Sequence, residues 1–517
     1  MPGREEKPAD GIALGLFASR VAAISEEMGG LLGRAAFSPN IRDRLDYSCA
    51  LFDPRGRLLG QATHIPVHLG SMAFAMGDLV REFDWQAGDM VVFNDPFRGG
   101  THLPDVTFVA PVFSNERCIG FCANRAHHAD IGAESPGSMP LSRSLDEEGI
   151  VIPPTRVVRS GEPDREWFES FYRRLASPTS GQGDFAAQIA ANRLGVRRLA
   201  ELAGALGPGT FRTRSSELQA YAERLARAAL AEIPAGRYRF TDHLDDDGFG
   251  GQDIPVCVAL QAGEHGIEVD FEGTADAVAG NLNCPMSVTA AAVFYVFRCL
   301  MPAQIPACDG ALRPIRIRAP EGCLVNARAP SAVAAGNVET SSRIVDAVCG
   351  ALAQAVPGIM PAASQGTMNN LAMGSRREGW DYYETLAGGM GAGPDCHGRS
   401  VCHSHMTNTL NTPVEVVERH YPLRITRYTL RRDSGGAGRY RGGDGIVREY
   451  EFLADADLSI LSERRRHAPW GLAGGSPGLP GRNLLDGEPL PAKVQMNVRA
   501  GQTLRIETPG GGGFGHA

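Results

Sequence analysis

An α+β fold of several layers is predicted from three features of the chain: a helical period at its start, a helical segment that divides it, and two-residue periods over much of the rest. Residues 11–34 carry Leu14, Phe17, Val21, Ile24, Met28, Leu31 and Leu32 at mostly three- and four-residue intervals, which makes one apolar helix face. Residues 167–233 return to helical spacing, with a break at Gly207-Pro-Gly209 and an end at Pro234-Ala-Gly-Arg237. Beyond it, Tyr238-Arg-Phe-Thr-Asp242, Ile254-Pro-Val-Cys-Val-Ala-Leu260 and Ile267-Glu-Val-Asp-Phe271 alternate apolar and polar residues. That alternation signals an antiparallel sheet with one solvated face. The expected regions are therefore an N-terminal α/β part (1–165) holding a candidate metal site, a helical segment (166–234), a mixed β/α region (235–420) and a glycine-rich β region (421–517).

Composition excludes several classes. A chain of 517 residues with 43% hydrophobic and 21% charged residues is long and apolar enough for a sizeable core. Its net charge of -8 leaves no basic footprint for nucleic acid. No run reaches the roughly 18 apolar residues of a membrane span, and the N-terminus lacks the basic-then-apolar order of a signal peptide. A cytoplasmic location is expected. The 11 cysteines are odd in number and contain no CxxC pair, which suggests neither a disulfide framework nor a thiolate zinc site.

The N-terminal region carries the chemistry. Tyr47-Ser-Cys-Ala-Leu-Phe52 reads as a strand ending in the turn Asp53-Pro-Arg-Gly56. His64 and His68 follow, four apart, but Pro66 between them argues for extended backbone over a helical ligand pair. A helix is expected from about residue 71 to 83, and Asp89-Met-Val-Val-Phe93 is a short buried strand. It leads into Asn94-Asp-Pro-Phe-Arg-Gly-Gly-Thr-His-Leu-Pro-Asp105, the composition of a shaped polar loop.

Two β-type runs, 106–113 and 118–123, flank Ser114-Asn-Glu-Arg117, a hairpin-length connection. Pairing around that loop puts positions summing to about 231 opposite each other, so Asp105 faces Ala126 and His127 faces Pro104. Cross-strand neighbours lie about 5 Å apart, which brings His102, Asp105 and the His127-His128 pair to one end of the ribbon. A one-residue slip exchanges which histidine shares a face with Asp105. Two imidazoles and a carboxylate suit a divalent metal with open positions, and Asp46, His64 or His68 could complete the shell. Five of the 13 histidines fall between residues 64 and 128, which favours this reading over isolated packing histidines. Asp130 and Glu134 are candidate general bases, with turn capping as their structural alternative.

Elsewhere the signals are structural. Helices are expected at 288–300 and 341–356, and strands at 424–430, 445–453, 458–461 and 503–507. Gly388-Gly-Met-Gly-Ala-Gly393 lacks the lysine of a phosphate loop and reads as close backbone packing. Cys396, His397, Cys402, His403 and His405 have zinc-binding side chains at a spacing that fits no standard finger. The glycine-dense end, residues 509–515, implies backbone passing close to backbone or to a partner subunit.

Several motifs carry a family resemblance: residues 94–105, Ala126-His-His-Ala-Asp-Ile-Gly132, Glu148-Gly-Ile-Val-Ile-Pro-Pro154, Phe271-Glu-Gly-Thr-Ala275 with Gly280-Asn-Leu-Asn283, Asp433-Ser-Gly-Gly-Ala-Gly-Arg-Tyr-Arg-Gly-Gly443, and the glycine-rich end. In this order they resemble the B-type subunit of the hydantoinase, 5-oxoprolinase and acetone carboxylase family. The resemblance implies a hetero-oligomer in which an A-type partner with an actin-like fold uses ATP to phosphorylate a cyclic amide or ketone. It implies a divalent metal, zinc or manganese, on His102, Asp105 and His127 with Asp46 as fourth ligand, and proton acceptors among His128, Asp130 and Glu134. Hydrolysis of hydantoin, N-methylhydantoin or 5-oxoproline is the expected activity. A ketone carboxylase subunit and a non-catalytic scaffold for the ATPase are the alternatives.

Overall fold

A computed structural model describes residues 11–62 and 64–517. Helix α1 (Gly11–Ala35) buries the stripe Leu14, Phe17, Val21, Ile24, Met28 and Leu32, as its periodicity requires. A single turn, α2 (Pro39–Arg42), leads to β1 (Tyr47–Phe52) and β2 (Leu58–Gln61). Their connection is held by Asp53, whose carboxylate accepts the backbone N–H groups of Arg55 and Arg57.

Helix α3 (Pro66–Glu82) starts five residues before the expected position. Pro66 occupies the first helical turn, where its missing N–H is not needed and its fixed φ suits the helix. Proline here begins the helix, which corrects the extended reading of this stretch. His68 therefore sits in the first turn and His64 lies outside it.

Strands β3 (Met90–Phe93), β4 (Asp105–Ser114), β5 (Arg117–His127), β6 (Thr155–Arg159) and β7 (Glu162–Pro163) complete an antiparallel sheet of order β2-β1-β5-β4-β3-β6-β7. Both faces are covered, so successive residues serve opposite layers. Cys49 and Leu51 join the α1 side, while Ala50 and Phe52 pack with Met72, Met76 and Leu79 of α3. The helical segment follows as α4 (Arg165–Tyr172), α5 (Pro178–Leu206) and α6 (Pro208–Leu230), and α5 lies across β4 and β5.

Next come β8 (Gly236–Asp246), β9 (Gln252–Gly263), β10 (Gly266–Asp270), α7 (Met286–Leu300), α8 (Asp309–Leu312) and β11 (Ile315–Arg318). Their sheet has the order β11-β10-β9-β8, and helix α9 (Ser341–Ala355) covers its β8–β9 face. On β9, Ile254, Val256 and Val258 are buried with their neighbours less so, the alternation expected of a half-solvated sheet.

Strands β12 (Asn370–Ser375) and β13 (Trp380–Glu384), helix α10 (Val414–His420), and strands β14 (Leu423–Arg431), β15 (Gly445–Phe452), β16 (Ala456–Leu461), β17 (Arg482–Leu485), β18 (Glu488–Leu490), β19 (Lys493–Val498) and β20 (Thr503–Glu507) end the chain. They form two sheets, β13-β12-β16-β19 and β14-β15-β20-β17-β18. The pairing of β12 with β16 crosses the region boundary expected at residue 421.

The glycine-rich segments pack on each other. A Cβ on Gly389 would lie 1.9 Å from the Gly443 carbonyl oxygen, and one on Gly511 the same distance from that of Met390. Contact at that range tolerates no side chain. All 11 cysteines are free. Among the described residues no helix is long and apolar enough to cross a membrane.

Candidate metal centre

The β4–β5 hairpin turns through Asn115 and Glu116, both at positive φ (49° and 61°), the backbone of a tight two-residue hairpin turn. Pairing starts in the expected register, with Ser114 opposite Arg117 and Phe113 opposite Cys118. A bulge between Val112 and Phe113 then leaves Ile119 unpaired and moves every later pair by one. Asp105 consequently faces His127, not Ala126. The bulge thus decides between the two histidines in favour of His127.

Asp105 is fully buried and ringed by imidazoles. Its Oδ1 lies 3.3 Å from His102 Nε2 and 3.3 Å from His127 Nδ1, while Oδ2 lies 3.2 Å from His68 Nε2 and accepts the Thr101 hydroxyl. His102, Asp105 and His127 each offer a ligand atom within 4.8 Å of the others, and no second such group of three gathers among the described residues. In particular, Cys396, His397, Cys402, His403 and His405 do not. Asp105 Oδ1 and His127 Nε2 accept or donate no hydrogen bond although both are buried.

The tautomers sharpen the fit. His102 Nδ1 faces the Ala334 carbonyl oxygen at 3.3 Å, and a carbonyl only accepts, so the proton sits on Nδ1. Nε2 then carries the lone pair, 3.3 Å from Asp105 Oδ1 and 3.2 Å from the Asn337 Nδ2 donor, and is the ring atom that would ligate a cation beside the carboxylate. His68 is a supporting residue: Ser48 Oγ accepts the Ile65 N–H and lies 3.3 Å from His68 Nδ1, while His68 Nε2 lies 3.2 Å from Asp105 Oδ2.

The charges agree with this arrangement. Burial works to raise the Asp105 carboxyl, but His68 and His102 override it and hold it well below the ordinary range. Burial works to lower His102, and the Asp105 carboxylate overrides that too, so His102 is raised. For His127 burial wins and the imidazole is lowered toward the neutral, ligating form.

Asp46 stands at the rim. Its carboxylate lies 3.9 Å from His68 Nε2 and 3.8 Å from Arg44 Nη2, and its carbonyl accepts the His127 N–H. It adjoins the three-ligand group without being part of it. Tyr383 stacks on His127 at 4.9 Å between ring centres, with Arg44 on the tyrosine's ring at 4.7 Å.

The three expected proton acceptors are not gathered here. His128 points toward α5, where Nε2 meets Gln188 Oε1 at 2.9 Å and the ring packs on Phe185. Asp130 accepts the N–H groups of Gly132 and Ser177, the turn-capping alternative, and Glu134 is exposed. For His128 the reason is the strand's period, by which it leaves on the side opposite its neighbour His127 at the end of β5.

Long-range residues finish the site. Asn94 straps the loop to the segment after it, accepting the Ile152 N–H and donating to the carbonyls of Leu103 and Ile150. The π-helical turn Gly336–Thr340 places Asn337 Nδ2 3.2 Å from His102 Nε2. Glu148 Oε1 accepts the N–H groups of Val333 and Ala334, both at 2.9 Å, and so fixes the carbonyl that orients His102. Burial pushes its carboxyl up to about 7. Glu148→Ala is expected to weaken divalent-metal affinity about 10–100-fold while the chain stays folded, measured by chelator competition. Unchanged affinity would remove Glu148 from the site's support.

The described geometry has close relatives. Over 99% of its length the chain is 40% identical to 5-oxoprolinase 1 of Arabidopsis thaliana, and it covers 42% of that longer protein. The ATP-dependent caprolactamase of Pseudomonas jessenii superposes with a TM-score of 0.91 at 27% identity, covering 99% of this chain and 92% of that one. A nucleotide-free acetone carboxylase structure shares the fold, with a TM-score of 0.87 at 19% identity over 98% of this chain and 76% of that one. The model of the family described as hydantoinase B/oxoprolinase matches residues 10–517, and the chain belongs to that family.

Proposed function

We propose that this chain is the B-type subunit of an ATP-dependent cyclic amidase, and that it opens a lactam or hydantoin ring phosphorylated by an A-type partner. The observation that carries the reading is the buried His102, Asp105 and His127 cluster around an oxygen without a hydrogen bond. A divalent ion held there would polarise an oxygen and activate water near neutral pH.

The chain's residues have definite parts in this chemistry. His102 is oriented by Ala334, Asp105 is steadied by His68 and Thr101, and Tyr383 closes over His127 and keeps bulk water out. An unstrained amide is a poor electrophile; phosphorylation of its carbonyl oxygen lets water add to that carbon. The ring C–N bond then breaks with the nitrogen leaving protonated, and a second water hydrolyses the resulting acyl phosphate to carboxylate and phosphate. A charged site shielded from bulk water favours these steps. Asn337, whose amide reaches the metal-facing side of His102, is placed to hold the reacting oxygen. The likeness to a caprolactamase and to a 5-oxoprolinase favours ring hydrolysis over ketone carboxylation, for which the relative at 19% identity shares the fold alone.

The test is co-expression with an A-type subunit and assay of 5-oxoproline, hydantoin and caprolactam. ATP-dependent opening of at least one ring, absent from either subunit alone, is the expected result. Turnover without ATP or partner would make this an ordinary metallohydrolase. Carboxylation of a ketone in place of ring opening would select the other branch.

A further inference from the structure

The two imidazoles of the metal centre are held in different ways. A ligating histidine is ordinarily oriented by a hydrogen bond from the ring nitrogen that does not ligate. His102 has that bond, from Nδ1 to the Ala334 carbonyl oxygen. His127 lacks it. Its Nδ1 lies 3.3 Å from Asp105 Oδ1, the same distance as His102 Nε2, which makes Nδ1 the ligating atom. The ring proton then belongs on Nε2, which is buried and has no partner. The backbone N–H of His127 bonds the Asp46 carbonyl, and the His102 ring meets His127 at 63° with 5.0 Å between centres. Neither contact lies flat against the imidazole.

The ring that does is Tyr383, with 4.9 Å between centres and 3° between planes. It is buried and held at several points. Its hydroxyl donates to Asn370 Oδ1 at 2.8 Å. The Asn370 amide nitrogen donates to Glu339 Oε1 at 2.8 Å and to the Leu461 carbonyl oxygen at 3.1 Å, which leaves Oδ1 as the acceptor. The Arg44 guanidinium lies 4.7 Å from the tyrosine's ring centre and donates to its carbonyl oxygen at 3.2 Å. Gly137 allows the close packing, since a Cβ there would lie 2.8 Å from the Tyr383 Cβ. Glu339 stands in the same π-helical turn as Asn337. One turn thus braces both imidazoles: Asn337 at His102, and Glu339 through Asn370 and Tyr383 at His127.

We propose that Tyr383 is the positioning residue of His127, its flat ring supplying the orientation that a hydrogen bond at Nε2 would otherwise give and keeping Nδ1 turned toward the ion. The proposal rests on the metal-centre reading and deepens it. What the role requires is a flat aromatic face, not the hydroxyl. Tyr383 acts through His127 and not on the substrate.

Chelator competition on the full chain loaded with cobalt(II) tests it, with the visible spectrum of the bound ion reporting its coordination. Tyr383→Leu removes the flat ring and is expected to weaken cobalt(II) about 10–100-fold and to change the spectrum at full occupancy. Tyr383→Phe keeps the ring and is expected to stay within about threefold of wild type, with the spectrum unchanged. Wild-type affinity and spectrum in a folded Tyr383→Leu chain overturn the assignment, and so does an equal loss in Tyr383→Phe. If Tyr383→Leu does not fold, nitrogen NMR of the zinc-loaded wild type with labelled histidine decides. Zinc on His127 Nδ1 with the proton on Nε2 is expected, and zinc on Nε2 overturns the assignment. A wild-type chain that takes up no divalent ion fails the metal reading itself, whereas tight wild-type binding that Tyr383→Leu leaves unchanged fails this assignment alone.

Discussion

Asp105→Asn is expected to leave the chain folded, to strip its divalent ion, and to lower partner-coupled turnover by about 10³-fold or more. The substitution keeps the side-chain volume, so the packing of a fully buried position is preserved. What it removes is the negative charge that His68, His102 and His127 all face. Metal analysis after dialysis, a thermal melt and the ring-opening assay together check the outcome. A full equivalent of metal with full activity would end the site hypothesis. His128→Ala is the matched control: its ring bonds Gln188 on the α5 side, so metal content should stay unchanged.

The sequence made this site legible as far as local patterns reach. The run from Val106 to Ala123 announced a hairpin, and the hairpin alone brought His102 and Asp105 near the histidine pair. The register was not legible, because nothing in Phe113 or Ile119 marks a bulge, and one unpaired residue shifted every pair beyond it. The helical placement of His68, a residue named as able to complete the shell, was missed for a different reason. Pro66 was weighed as a helix breaker, when the same residue at a first helical turn is a start signal.

Asn337, Ala334 and Tyr383 reach the site from more than 200 residues away, and no periodicity encodes such a meeting. The same limit governs the fold. Helices α1, α5 and α6 follow their apolar spacing closely, whereas β12 lies in the sequence far from β16, its pairing partner, so a boundary drawn from composition cut through a sheet.

That long-range assembly depends on a buried ionic network, and Arg464→Met is expected to destabilise the protein by about 3–5 kcal/mol. Arg464 Nη2 lies 2.7 Å from Asp242 Oδ2 on β8 and 2.5 Å from Asp346 Oδ2 on α9, and all three residues are buried. Without the guanidinium, Asp242 keeps Arg343, at 3.4 Å, the Trp470 N–H at 3.2 Å and the His243 backbone N–H at 2.8 Å, while Asp346 keeps His405 at 3.7 Å. Two acids would then be left with too little compensation in a dry interior. A denaturant titration measures the loss, and an unchanged midpoint would show the network to be dispensable.

The pH dependence gives an independent check. Burial works to raise the Asp242 carboxyl, but Arg464 and Arg343 override it and hold it below the ordinary value near 3.8. A carboxyl depressed in the folded state contributes stability that is fully present above its unfolded pKa and is lost as pH falls through the folded one. The gap between wild type and Arg464→Met should therefore be widest above about pH 4 and close below it. Arg343 also reaches Glu463, at 3.4 Å, and Lys493 lies 2.5 Å from the same carboxylate. Glu463 in turn helps burial raise Glu339 to about 8, and Glu339 belongs to the π-helical turn that carries Asn337 to His102. Loosening Arg464 should thus reach the metal centre through that turn, as a metal-affinity loss smaller than that of Asp105→Asn.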